Sequence, residues 1–308
     1  MKLLRRVLLG AVLACGLAGA SHADEIRLGH TINPAPVAIF MADRQGIFAE
    51  KGLDLRLEVM TADPVIPAAL LSGSIEMGTV TVTTFLSAVG NGLDLVAFAG
   101  TSSTTTTSKD VALVVGTNSG IESPADFAGK TVGVPGIGAL LDVMFREWLK
   151  MHGVDPASVT YIEVPFPQHA AQIQAGRIDA AITPAQFAAT MVTEGHARIV
   201  AHPVTELPEG QQTVLVASTR EWAAANGDRI AAFRAVVARA QEIGKTDEEA
   251  IRAGLSHGMK LPPEVAARAP LPHIDVSLSS AQLAFWRDAL VSQGRIGDNI
   301  DLDTLVLP

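Results

Sequence analysis

Cysteine is almost missing from this sequence, whose 308 residues contain one, Cys15. Aromatic residues make up only 5%, with a single tyrosine, and basic residues are the minority charge, 23 Lys and Arg against 32 Asp and Glu. Each shortage excludes something. With no second cysteine there is no intrachain disulfide, so burial of apolar surface must hold the fold together. A net charge of −9 leaves no basic face to neutralise phosphates, which excludes tight nucleic-acid binding. Few aromatics leave a ligand site to backbone groups, hydroxyls and aliphatic side chains. What is present points to a folded chain: 48% hydrophobic and 18% charged residues exclude extensive disorder. The length is about twice that of a typical domain of about 150 residues, so two lobes or one large domain are expected.

The N-terminus reads as a cleaved export signal. Lys2, Arg5 and Arg6 precede the apolar run Val7 to Ala20, and Ser21-His22-Ala23 supplies the small residues of a cleavage site. The run is shorter than the roughly 20 residues needed to span a bilayer. Removing residues 1–23, which carry three basic and no acidic residues, leaves 285 residues and a net charge of −12. A lipidated Cys15 is the competing reading, disfavoured because only eight apolar residues separate it from Arg6 and the run continues past it. The expected location is the periplasm.

Beyond the signal, strand and helix patterns alternate. Ile26 to His30 and Leu53 to Val59 read as strands, Pro36 to Gln45 and Val65 to Leu71 as helices. A strand near Met77, a helix over Val82 to Val89 and a strand over Leu93 to Ala97 follow. Thr101 to Ser108 reads as a solvated loop. The β-branched run Val111 to Val115 closes the first unit, with the boundary placed just after it. In the second unit, strands are expected over Thr131 to Val134, Thr160 to Val164 and Ala180 to Thr183. Helices are expected over Ala139 to Met151, Ala170 to Ala175 and Ala185 to Thr193. After a strand at Thr213 to Ala217 the chain reads as helical from Arg220 to near its end. The clearest of these helices starts at Asp228, with Ile230, Phe233, Val237, Ala240 and Ile243 on one face and Gly244 as its stop. The alternation predicts an α/β fold with mostly parallel pairing.

No catalytic signature stands out. Gly129-Lys130-Thr131 lacks the upstream glycine of a phosphate loop and precedes a strand where it should follow one. Gly136-Ile137-Gly138 sits between a strand and a helix, but Leu141 occupies the third glycine position of a dinucleotide fingerprint. Such a turn can present N–H groups and a helix dipole to a small anion, or be a tight turn and nothing more. The threonines between Gly78 and Thr84, the segment Phe166-Pro167-Gln168-His169 and Thr183-Pro184 also follow strands, where open α/β sheets bind ligands. None of the eight histidines forms a metal-ligand pair, and no serine has the flanks of a nucleophile elbow. No cofactor is expected.

The stretch Pro34-Ala35-Pro36 through Gly46-Ile47-Phe48-Ala49-Glu50-Lys51-Gly52-Leu53-Asp54-Leu55 resembles the nitrate/sulfonate/taurine-type solute-binding proteins of ABC importers. So do Ala69 to Gly78, Asn91-Gly92-Leu93-Asp94-Leu95, Ser123 to Val134 and Ala175 to Ala181. The resemblance implies a type II periplasmic binding-protein fold, two α/β lobes with a ligand cleft between them. Residues 24–115 would begin lobe 1, 116–205 form lobe 2, and 206–308 return to lobe 1 as a mainly helical segment. The pocket loops it implies fall on His30 and Thr31, on Thr81, Val82 and Thr83, on Gly136, Ile137, Gly138 and Ala139, on Phe166 and Gln168, and on Thr183. Where the family often carries Glu before a proline, this chain has Thr183-Pro184, which removes a fixed negative charge. The implied function is capture of a small organic anion, a sulfonate or carboxylate, by lobe closure and its delivery to a membrane permease, by a monomer that makes or breaks no bond. Two other readings stand beside it. One is an enzyme on the same fold, related to thiamine-pyrimidine or menaquinone biosynthesis, which the export signal disfavours; the other is the ligand-binding subunit of a sensor.

Overall fold

A computed structural model describes residues 25–308; the expected export signal and Cys15 lie outside the described residues. Ten strands run in chain order as β1 (Ile26–His30), β2 (Leu55–Val59), β3 (Met77–Thr81), β4 (Leu95–Ser103), β5 (Val111–Gly116), β6 (Thr131–Val134), β7 (Thr160–Glu163), β8 (Ala180–Pro184), β9 (Ala197–Ala201) and β10 (Gln212–Thr219). They form two five-stranded sheets, ordered β2-β1-β3-β10-β4 and β7-β6-β8-β5-β9. Each sheet has a parallel half, β2-β1-β3 and β7-β6-β8, built by strand–helix–strand crossovers. The pairing expected to be mostly parallel is therefore mixed: β10 lies antiparallel between β3 and β4, and β5 antiparallel between β8 and β9. Both antiparallel strands directly follow a passage from one sheet to the other.

This moves the expected boundary. The run Val111 to Val115 does not close the first lobe; it is the interior strand β5 of the second sheet, with Ala112 to Val115 wholly buried. A continuous apolar run identifies a strand covered on both faces, but not the sheet that owns it. The chain thus crosses out between Ser103 and Val111 and back between Ala201 and Gln212. The Thr101 to Ser108 tract is no solvated loop throughout, since Thr101 and Ser103 extend β4 and, with Thr104, are buried. The Thr104 hydroxyl donates to the Pro208 carbonyl at 2.6 Å and accepts from the Gln211 N–H at 2.9 Å, tying the two crossings together.

The return is helical only in part. Gly227–Gly244 and Glu248–Met259 are helices, but after the short helix Pro263–Ala266 the chain runs irregularly until Ala281–Ser292. Along this stretch the Gly100 N–H donates to the Val276 carbonyl at 3.1 Å, so the segment lies against β4. Helix Glu248–Met259 sits close on helix Val37–Arg44 because Gly254 and Gly258 face it. A Cβ at Gly258 would lie 2.1 Å from Phe40 Cγ, where no side chain fits.

The lobes share one apolar core cluster. It joins Val82, Phe85 and Leu86 of the helix Val82–Gly90, Val143, Met144, Phe145 and Trp148 of the helix Leu140–Met151, and Leu283, Trp286 and Leu290 of the helix Ala281–Ser292. Each such fully buried side chain contributes about 1.5–3 kcal/mol. The lobes are thus packed along one side and open along the other.

Candidate functional site

The open side is a cleft of about 2360 Å³. The carboxyl ends of β1 and β3 face it from the first sheet and those of β6 and β7 from the second, where open α/β sheets place ligands. This volume exceeds the roughly 300–1000 Å³ of a filled small-molecule pocket, as a cleft gaping between lobes should.

Eleven large apolar residues are conspicuously exposed among those described, and six of them line this cleft. Ile32, Val59, Val265 and Leu271 come from the first lobe and its returning segment, Ile137 and Ile199 from the second. Phe166, stacked on Phe187 with ring centroids 5.7 Å apart, adds an aromatic edge. Apolar surface concentrated in one concavity marks a binding surface, whereas scattered single residues would not.

The polar groups are organised around two helix starts. In the first lobe, Thr81 caps the helix Val82–Gly90, its hydroxyl accepting from the Thr84 N–H. The Asp63 carboxylate accepts from both the backbone N–H of Thr81, at 3.0 Å, and its hydroxyl, at 2.7 Å. In the second lobe the turn Pro135 to Ala139 joins β6 to the helix Leu140–Met151. There the Ile137 N–H donates to Glu163 Oε1 and the Gly138 N–H to Asp142 Oδ2, both at 2.7 Å. In each lobe, then, a carboxylate of the chain itself sits where the helix start would attract an anion. Asp110, at the entry to β5, also lines the cleft; burial raises its carboxyl above the usual aspartate range, partly offset by the Ser108 hydroxyl and by His273. Lys109, Arg268 and Arg295 are the basic residues on the surface of the cleft.

Of the residues anticipated from sequence, Thr31, Thr81, Gly136, Ile137, Gly138, Ala139 and Phe166 are brought together on the cleft surface. His30, Val82, Thr83, Gln168 and Thr183 are not on it. His30 is buried, packed edge-on against Phe40 at 5.0 Å, and its Nδ1–H donates to the Thr31 carbonyl at 3.1 Å. Burial lowers its pKa, the carbonyl bond opposing this, so it is a neutral support beneath the Thr31 turn. Val82 and Thr83 face the core, and Thr183 is fully buried beside Ala112. Gln168 is exposed on the turn after Phe166. The sequence reading missed Asp63, Glu163, Arg295 and the wall formed by residues 261–273. For Asp63, Glu163 and Arg295 the only sequence signal is a carboxylate or guanidinium near the end of an element, which many surface positions share.

No group of three or more potential metal ligands occurs among the described residues. None of their helices is long and apolar enough to cross a membrane.

Two mixed α/β sheets joined by two crossings and gaping over a cleft define the periplasmic binding-protein fold. Solved structures of the same architecture include the alkanesulfonate-binding protein SsuA from Xanthomonas axonopodis pv. citri, bound to MOPS (TM-score 0.76, 21% identity, covering 94% of this chain and 99% of that one). The periplasmic aliphatic sulphonate binding protein SsuA from Escherichia coli matches with a TM-score of 0.76 at 20% identity, over 92% of this chain and 97% of its own. The periplasmic nitrate-binding protein NrtA from Synechocystis PCC 6803 matches at 0.71 and 14% identity, over 91% and 84%. The chain belongs to the NMT1/THI5-like family, whose sequence model matches residues 33–250. No curated protein sequence shows a significant match to it.

Proposed function

We propose that this protein is the exported solute receptor of an ABC importer, and that it takes a small organic acid, a sulfonate or carboxylate, bearing an apolar body. The observation that carries this reading is the convergence of exposed Ile32, Val59, Val265 and Leu271 with Ile137 and Ile199 on one cleft between two lobes. A ligand touching both walls binds the closed arrangement better than the open one and shifts the population toward it. Closure would bury the apolar body between the walls and present a changed outer surface to a membrane permease. No bond is made or broken in this cycle, and a monomer suffices. The sulfonate- and nitrate-binding proteins of like architecture support an anionic ligand.

The test is a thermal-shift screen of alkanesulfonates, carboxylates, amines and pyrimidines, followed by small-angle scattering with the best compound. An organic acid should give the largest rise in melting temperature, by binding linkage, and a smaller radius of gyration. If only amines or neutral heterocycles stabilise the protein, the ligand class is wrong.

A further inference from the structure

The Ile137 and Gly138 N–H groups are already accepted by Glu163 and Asp142 and the Ala139 N–H by the Gly136 carbonyl, so the 136–139 turn has few donors left for an anion in the cleft. The structure places another donor beside them. At the end of helix Ala281–Ser292 the Gly294 N–H donates to the Val291 carbonyl at 2.9 Å and the Arg295 N–H to the Leu290 carbonyl at 2.8 Å. The chain turns there, and the Arg295 side chain reaches across to the second lobe. Its guanidinium lies against Gly138, where a Cβ would stand 3.2 Å from Arg295 Nη1; the positive φ of 86° at Gly138 likewise suits glycine.

Arg295 is incompletely partnered. Nη2 reaches Asp142 Oδ2 at 3.3 Å, but Asp142 also receives Arg146 Nε at 2.7 Å and the Gly138 N–H, so one carboxylate serves two guanidinium groups. Arg295 Nε is buried with no acceptor, although the side chain as a whole remains 27% exposed and lines the cleft. A guanidinium carries five N–H donors in a planar fork and keeps its charge at any working pH. A buried charged donor without an acceptor is costly; Nε lies out of a ligand's reach, but Nη1, beside Gly138, also has no acceptor, and the oxygens of a carboxylate or sulfonate in the cleft fit that donor. Arg268, by contrast, is an exposed side chain on the opposite wall with nothing to hold it in place.

We propose that Arg295, and not the helix start, recognises the anionic group of the ligand, holding it against the 136–139 turn while the apolar body lies along Ile137 and Phe166. This rests on the organic-acid reading above and adds the residue that would enforce it. The test is calorimetric titration of the purified protein with hexanesulfonate and hexanoate, comparing wild type with Arg295→Gln, Arg295→Lys and Arg268→Gln. Loss of a charged hydrogen-bonding partner should weaken binding about 10- to 100-fold in Arg295→Gln. Lysine should restore part of the loss, because it supplies charge without the fork, and Arg268→Gln should change affinity less than Arg295→Gln. Binding by Arg295→Gln within twofold of wild type overturns the proposal and leaves the organic-acid reading standing. Wild-type protein that binds neither probe sinks that reading and the proposal with it. Circular dichroism checks folding. If the glutamine variant does not fold, the lysine variant carries the decision, with about a tenfold loss expected and unchanged affinity contradicting the assignment.

Discussion

The Gln211 N–H donates to the Thr104 hydroxyl at 2.9 Å, and the same hydroxyl donates to the Pro208 carbonyl at 2.6 Å. One buried side chain thereby joins the outgoing and returning passages between the sheets, where the proposed closure would concentrate its motion. Thr104→Val keeps the shape and leaves both backbone groups unpartnered, at a cost of about 1–3 kcal/mol. Hydrogen exchange over residues 104–111 and 208–213 should speed up selectively. Unchanged exchange there would show that the two passages do not depend on this bond.

Glu163 accepts the Ile137 N–H from an exposed position and places a negative charge beside the turn that faces the cleft. Glu163→Ala should free that donor and raise the affinity for hexanesulfonate about 2- to 5-fold, a gain of the size expected for a helix-end charge. Titration calorimetry at low salt checks it, and a fall in affinity would mean that Glu163 itself touches the ligand.

His169 is buried, with Nε2–H donating to the Val164 carbonyl at 2.9 Å. Burial lowers its pKa, the carbonyl bond opposing this, so the folded protein holds it neutral. The unfolded chain, with an ordinary histidine near pH 6.5, therefore binds more protons below that pH. Stability should be at its full value above about pH 6.5 and decline as the pH falls through the lowered folded value. The urea midpoint should drop between pH 7.5 and 5, and by less in His169→Gln. Equal slopes in the two proteins would contradict this account.

Gly258 lets helix Glu248–Met259 approach helix Val37–Arg44. A methyl group there meets the Phe40 ring, so Gly258→Ala should destabilise by about 1–3 kcal/mol, the usual range for overpacking. For a chain of this size that is a fall in melting temperature of about 2–4 °C for each kcal/mol. The pair Gly258→Ala with Phe40→Leu should recover part of the loss if the clash is the cause.

Strands β1, β3, β6 and β8 were legible because apolar periodicity and the glycines and threonines that follow them act within a few residues. Sheet membership of β5 was not, since its apolar run is equally at home in the interior of either sheet. The site shows the same division. Its turns could be placed at strand ends, and seven of twelve anticipated residues reach the cleft. The carboxylates that occupy those turns could not. Asp63 meets Thr81 across 18 positions of sequence, Glu163 meets Ile137 across 26, and Arg295 meets Asp142 across 153. Those pairings exist only once the sheets have formed. The burial of His30, Thr83 and Thr183 has the same origin, because a polar residue at a strand end can turn toward the core or toward the cleft without altering the pattern.

On the proposed closure, the three helices that carry Phe85, Phe145 and Trp286 into one cluster also set the mechanics of the cleft. Two rigid bodies in contact along one side act as levers about that contact. A rotation of a few degrees, small enough to leave the Trp286 packing intact, sweeps the far rim through a much larger arc. Ile32 and Leu271 on one wall and Ile199 on the other would then travel while the fulcrum barely stirs, and a substitution at the fulcrum should alter the reach of the jaw without touching any ligand.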